Sequence, residues 1–272
     1  SPFFLYNYGG HMNPYAEIRK VPLDYNGVSS SAWSVQMDKP DKGWDEVGVV
    51  SNKYMLLSNQ EVKDAANRVA QECNINFKED KTFFNNRVYM HSLMSDHVVG
   101  DIEKGDDVAL GMQFWNSYDG SKAFGFSLML YRLLCTNGMM SKQAFGTFRF
   151  KHSPDNEKWE EDISKVINNI NNVERGAYTG IESILERFKA LNETTVNTDM
   201  LGTIRHKHLQ DIPVGLWGGI VDRFTNTEHY QKHTGWNLLN SATDILWHKE
   251  KPTVASYDQN AQIVDGLCNA IA

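Results

Sequence analysis

The chain has 272 residues, of which 41% are hydrophobic and 22% charged, with 20 glycines and 7 prolines; this is the composition of a folded globular protein and excludes disordered, collagen-like and disulfide-scaffold classes. Its formal charge is −7, from 27 basic and 34 acidic side chains, which argues against a uniformly basic nucleic-acid binder but does not fix the field over any one groove. The longest apolar stretch, Phe124 to Cys135, is about half the length of a spanning helix and contains Arg132, so no membrane crossing is expected. The opening segment SPFFLYNYGGHMN lacks the basic head and apolar run of a secretory signal. Cys73, Cys135 and Cys268 form no CxxC pair and read as free thiols of a cytoplasmic protein.

In chain order, residues 1–45 mix aromatic and turn residues (Phe3, Phe4, Tyr6, Tyr8, Trp33, Trp44) and predict an extended aromatic arm, suited to docking on a neighbouring subunit. Residues 46–272 predict a single α+β domain, sheet-rich over 46–152 and helical over 153–272. Val47, Val49 and Val50 predict a short strand, and Ser58 with Glu61 is a capping-box signature for a helix running to about Cys73. Phe83 to Met94 predicts one strand. Val108, Leu110, Met112 and Phe114 recur at period two, and Phe124, Phe126, Leu128 and Leu130 do the same after the Asp119-Gly120 hairpin signal. Asn137-Gly138 predicts a turn before a strand over Phe148, Phe150 and His152, with Arg149 and Lys151 on its other face. Beyond Pro154, apolar residues at three- and four-residue intervals predict one long helix or two with a break near Gly176. A polar connection is expected over 199–212, helices over 214–224 and 236–247, and a last amphipathic stretch over 260–271. The expected architecture is a central antiparallel sheet of hairpins covered by C-terminal helices.

Nine histidines invite a test for metal. His206 and His208 flank Lys207, and His229 and His233 share a helical spacing, but no HExxH or cysteine pair completes a ligand set, so no metal or cofactor is expected. There is no GxSxG elbow, no phosphate loop and no dinucleotide fingerprint, and Gly215-Leu216-Trp217-Gly218-Gly219 lies in an apolar run. Asp101, Glu103, Asp106 and Asp107 read as a solvated turn. No catalytic residue is assigned. The segment 139–152 holds three cations, Lys142, Arg149 and Lys151, and no acidic residue. Together with the neighbouring hairpin it combines cations and rings as single-strand binders do, with cations tracking phosphates and rings stacking on unpaired bases. The expected nucleic-acid contacts are Lys122, Arg132, Arg149 and Lys151 to phosphate, Trp115, Tyr118 and Tyr131 to bases, and Arg205 and Lys207 as a secondary contact. The competing reading gives these residues structural roles: Asp119-Gly120 a tight turn, Asn116 and Asn137 backbone bonds, and Arg132 a carboxylate partner.

Four segments carry a resemblance: Val49-Val50-Ser51-Asn52-Lys53-Tyr54, Asn116-Ser117-Tyr118-Asp119-Gly120-Ser121, Tyr131-Arg132-Leu133-Leu134-Cys135-Thr136-Asn137-Gly138, and Trp236-Asn237-Leu238-Leu239-Asn240-Ser241-Ala242-Thr243 followed by His248. In order and spacing, from roughly Glu46 to His248, the chain resembles the phage/plasmid-like proteins grouped as domain of unknown function 932. The resemblance implies a mobile-element origin and a role near DNA metabolism, and it supplies no catalytic residues. The expected function is a phage-encoded, non-enzymatic single-stranded DNA-binding or strand-annealing protein of replication or recombination, self-associating and working beside host or phage replication proteins. Two alternatives stand beside it: an enzyme with a pocket around Asp119, Arg132 and Cys135, and a protein-binding adaptor.

Overall fold

The protein is described by a computed structural model over residues 12–122, 124–145, 148–149, 156–176, 178–226 and 232–271. Within the span read as an arm, strands β1 (Ile18–Tyr25), β2 (Val28–Lys39) and β3 (Gly43–Ser51) pair antiparallel into a three-stranded sheet. Within that span the described residues are therefore a paired sheet with β1 and β3 as its edges and not a lone extended arm; Phe3 to Tyr8 lie outside the described residues. The β1–β2 turn is the two-residue Asn26-Gly27, with φ of +50° and +77°, the mirror-image turn that matches strand twist. Alternation on β2 buries Val35 and Met37 and turns Gln36 and Asp38 outward. Gly48 on β3 lies so close to the Tyr118 carbonyl that any Cβ there would collide with it, which seats this sheet against the second one.

Helix α1 (Asn59–Glu72) begins at the capping box: Ser58 Oγ accepts from the Glu61 amide at 3.1 Å, and Glu61 Oε2 accepts from the Ser58 amide at 2.8 Å. The second sheet follows, with β4 (Phe77–Phe84), β5 (Val88–Asp101), β6 (Asp107–Ser117), β7 (Gly125–Arg132) and β8 (Asn137–Met139) in sequence order and the two-residue β9 (Phe148–Arg149) beside β7, all antiparallel. The single strand expected over Phe83 to Met94 is two, split at Asn85-Asn86-Arg87. Asn86 takes φ +73° and Asn85 Oδ1 accepts from the Arg87 and Val88 amides, so asparagines alone make the turn. The expected turn at Asn137-Gly138 is instead strand β8, and the chain reverses one step earlier, where Thr136 has φ +53°. Phe150 and His152 lie outside the described residues.

Helices α2 (Lys142–Phe145), α3 (Asn156–Glu174), α4 (Thr179–Glu193), α5 (Thr198–His208), α6 (Val214–Asn226), α7 (Gly235–Trp247) and α8 (Val254–Ala270) complete the described chain as an α+β fold. Gly176, with φ +67°, separates α3 from α4. The polar connection expected over 199–212 is largely α5, which is capped by Asn197 and buries only Leu201 and Ile204, too narrow a stripe to stand out in the sequence. No described helix is long and apolar enough to cross a membrane. Cys73, Cys135 and Cys268 are unpaired.

Both faces of the second sheet are used, unequally. Tyr89, Leu93, Leu110, Met112, Phe114, Phe126, Leu128 and Leu130 belong to the main core. On the other face Phe83, Met90, Met129 and Tyr131 pack with Trp247 and Tyr257 in a smaller core, which Trp115 joins only in part. His91 sits in the sheet fully buried, its Nδ1 3.1 Å from Thr82 Oγ1; burial lowers its pKa to about 4 and keeps the ring neutral.

Candidate nucleic-acid interface

Strand β7 has eight residues, so its ends lie roughly 25 Å apart at about 3.3 Å per residue. The expected site residues divide between those ends. At the C-terminal end Arg132 is buried and forms a two-pronged pair with Asp106, Nε to Oδ1 at 2.6 Å and a terminal nitrogen to Oδ2 at 2.7 Å. The Trp236 indole donates to the same Asp106 Oδ2 at 2.8 Å, and the guanidinium lies 5.5 Å from the Trp236 ring. Arg132 is therefore a core ion pair and not a phosphate contact, and Asp106 is not part of a solvated turn. Tyr131 is likewise buried; its hydroxyl donates to Asp80 at 2.9 Å, and desolvation next to that carboxylate pushes the phenol well above its ordinary pKa. No base can reach it.

Tyr118 is corrected for the same reason. Its ring packs edge-on against Phe84, and its hydroxyl accepts from the Asn59 amide at 3.0 Å, at the first residue of α1. Its neighbours point the same way: Asn116 Nδ2 donates to the Leu57 carbonyl at 2.9 Å, and the Ser117 carbonyl accepts from Tyr54 at 2.6 Å. The Asn116–Ser121 motif thus binds the segment that starts α1, and Asp119 closes its own turn by accepting from the Ser121 amide at 2.9 Å. The Tyr131–Gly138 motif is bolted to α7 in the same manner. Asn137 donates to the Asn240 carbonyl at 3.3 Å, His248 Nε2 lies 3.1 Å from both Asn137 Oδ1 and the Cys135 carbonyl, and the Trp247 ring fills the space a Cβ on Gly138 would need. Burial raises the Cys135 thiol and lowers the His248 imidazole, so the pair holds a thiol and a neutral ring and lacks the thiolate a nucleophile requires. Asp119 sits at the far end of β7 from Arg132 and Cys135, so the pocket expected from those three does not assemble.

At the other end of β7 the described side chains are less deeply buried. Trp115, Gly125 and Arg149 pair in one row across β6, β7 and β9, which places them on one face. The Trp115 ring packs against Gly125, in the volume a Cβ would occupy, so only glycine leaves room for the indole there. Trp115 is half-buried and Arg149 exposed. Lys122 is tied to this place because Ser117 Oγ donates to its carbonyl at 2.6 Å and accepts from its amide at 3.0 Å. Its ammonium is 3.8 Å from Asp258 on α8, and Lys142 reaches the same carboxylate at 3.9 Å. Two lysines thus share one carboxylate at the end of β7 where Arg149 pairs with Gly125, with Asp119 in the preceding turn and Asp265 on the Lys142 amide as the other acids of this region. Lys151 lies outside the described residues. Lys142 was legible as part of the basic segment 139–152, whereas Asp258 carries no local signal in the sequence.

The secondary pair separates too. Lys207 is exposed on the last turn of α5, while Arg205 is half-buried and donates to the Ile212 carbonyl at 3.2 Å, a brace for the turn after the helix. Among the described residues no group of three or more His, Cys, Asp or Glu converges to hold a metal ion. No curated protein and no solved structure matches the chain. The interlocking of the four sequence motifs around α1, β7 and α7 accounts for their joint occurrence, and a family model covers them all over residues 46–267: the chain belongs to the family described as domain of unknown function 932.

Proposed function

We propose that the protein binds single-stranded DNA at the Trp115 end of the second sheet, as a non-enzymatic coating or strand-annealing protein of phage replication or recombination that self-associates in the host cytoplasm. One observation carries the reading: a half-buried indole packed on Gly125 in the same row as an exposed arginine, at the end of the sheet where Lys122 and Lys142 share Asp258. A flat ring stacks on an unpaired base and is useless to a base already inside a duplex, and the surrounding cations suit the phosphates on either side. Stacking of this kind contributes about 1–3 kcal/mol per base, enough to hold a strand on a protein whose overall charge is negative.

The test is fluorescence anisotropy with a labelled unstructured oligonucleotide and its duplex at several salt concentrations. The expected result is preference for the single strand, with log K falling linearly against log salt. Absence of binding at low salt, or equal affinity for both forms, would overturn the proposal.

A further inference from the structure

The interface does not end at Asp258. The exposed face of α8 continues through Gln262, Asp265 and Asn269, and there it forms one wall of a cleft of about 240 Å³ completed by Lys142 of α2 and by His208 and Asp211 at the end of α5. Behind it the buried Leu209 and Ile212 close the cleft, exposing almost no surface of their own. The rim offers the amides of Gln143, Gln262 and Asn269. Gly266 sets the geometry, since a Cβ there would meet the Leu209 side chain and come within 3.0 Å of the His208 carbonyl; its absence lets the end of α5 close against α8. Asp265 is already engaged, accepting from Ser141 Oγ at 2.5 Å and from the Lys142 amide at 3.0 Å, so its charge is directed at α2 more than at the opening.

We infer that this cleft is a second subsite that takes one nucleobase of the same single strand. The inference rests on the single-strand reading above. Its volume is below the ~300–1,000 Å³ of pockets for drug-sized ligands, which fits a single planar ring. The amide groups of the rim, each both donor and acceptor, pair with the edge of a base without demanding one sequence, Asn269 Oδ1 also accepting from Arg187. Lys142 joins the two places: it shares Asp258 with Lys122 on one side and lines the cleft on the other. Beyond the cleft, exposed Lys207 stands where the backbone of a longer strand would leave. The strand path is therefore Trp115, then Lys122 and Lys142, then the cleft.

The experiment compares an oligothymidylate of about four nucleotides with one of about twelve, within the range of site sizes shown by single-strand grooves. Both are titrated against the full chain and against the Gln262→Ala/Asn269→Ala double variant, whose changes lie on the exposed rim. The longer strand should lose about tenfold in affinity, as expected for two lost hydrogen bonds, and the shorter one, held at Trp115, should lose nothing. Unchanged affinity at both lengths, or an equal loss at both, overturns the subsite while leaving the first interface standing. Failure of the unaltered protein to bind either strand overturns both.

Discussion

At one end of β7, Arg132, Asp106 and Trp236 meet in the interior, where guanidinium and indole both donate to the same carboxylate. At the other, Lys122 and Lys142 reach the carboxylate of Asp258, and half-buried Trp115 and exposed Arg149 share a row with Gly125. Both ends combine cation, ring and acid, yet the first is closed by α7, while at the second Trp115 is only half-buried and Arg149 exposed among the described residues. Residue chemistry alone does not separate a binding surface from a core network; the cover supplied by distant helices does. The closed end belongs to the folding problem, and the proposed recognition surface lies at the other.

The sharpest way to break this contrast is at Arg132. Removing one partner of a buried ion pair strands the other, so Arg132→Ala should cost about 3–5 kcal/mol in unfolding free energy by denaturant titration, while paired apolar replacement of Arg132 and Asp106 should recover most of it. The refolded protein should bind single strands as before; a selective loss of DNA affinity with intact stability would move the binding surface to the closed end. Trp115→Ala should do the reverse. It should weaken single-strand binding by about 1–3 kcal/mol with little change in stability, and anisotropy together with denaturation separates the two. Gly125→Ala sharpens the same point, because the added methyl displaces the ring without removing it; affinity should fall in the same direction, by an amount that anisotropy measures. The smallest effect belongs to Arg149→Ala, which should lower the slope of log K against log salt by about 1 while weakening all sequences alike.

Much of the fold was legible where local chemistry decides it. The Ser58/Glu61 box, the period-two runs of β6 and β7, and the break at Gly176 are all short-range signals, and all three stand. The failures share a cause in tertiary cover. The β4–β5 turn hides because asparagines take the place of a glycine, and Gly138 misleads because it makes room for Trp247 and turns nothing. Alternation put Trp115 and Arg149 on the faces of their strands that backbone pairing aligns in one row with Gly125, but it states which residues share a face and not which face is roofed. That is why Tyr118, Tyr131 and Arg132 looked available in the sequence and are buried in the molecule.

The shared carboxylate has a consequence for how a strand would be held. A phosphate arriving at Lys122 and Lys142 displaces Asp258, a tethered anion that stays on α8 and never joins the bulk solution. The nucleic acid still sheds its condensed cations, but the protein releases no anion of its own, so this pair of lysines gains less mixing entropy than two bare ammonium groups would. As a phosphate departs, the same carboxylate is in place to recapture both lysines. The surface thus carries its own exchangeable occupant, an arrangement suited to strands that must be taken up and handed on.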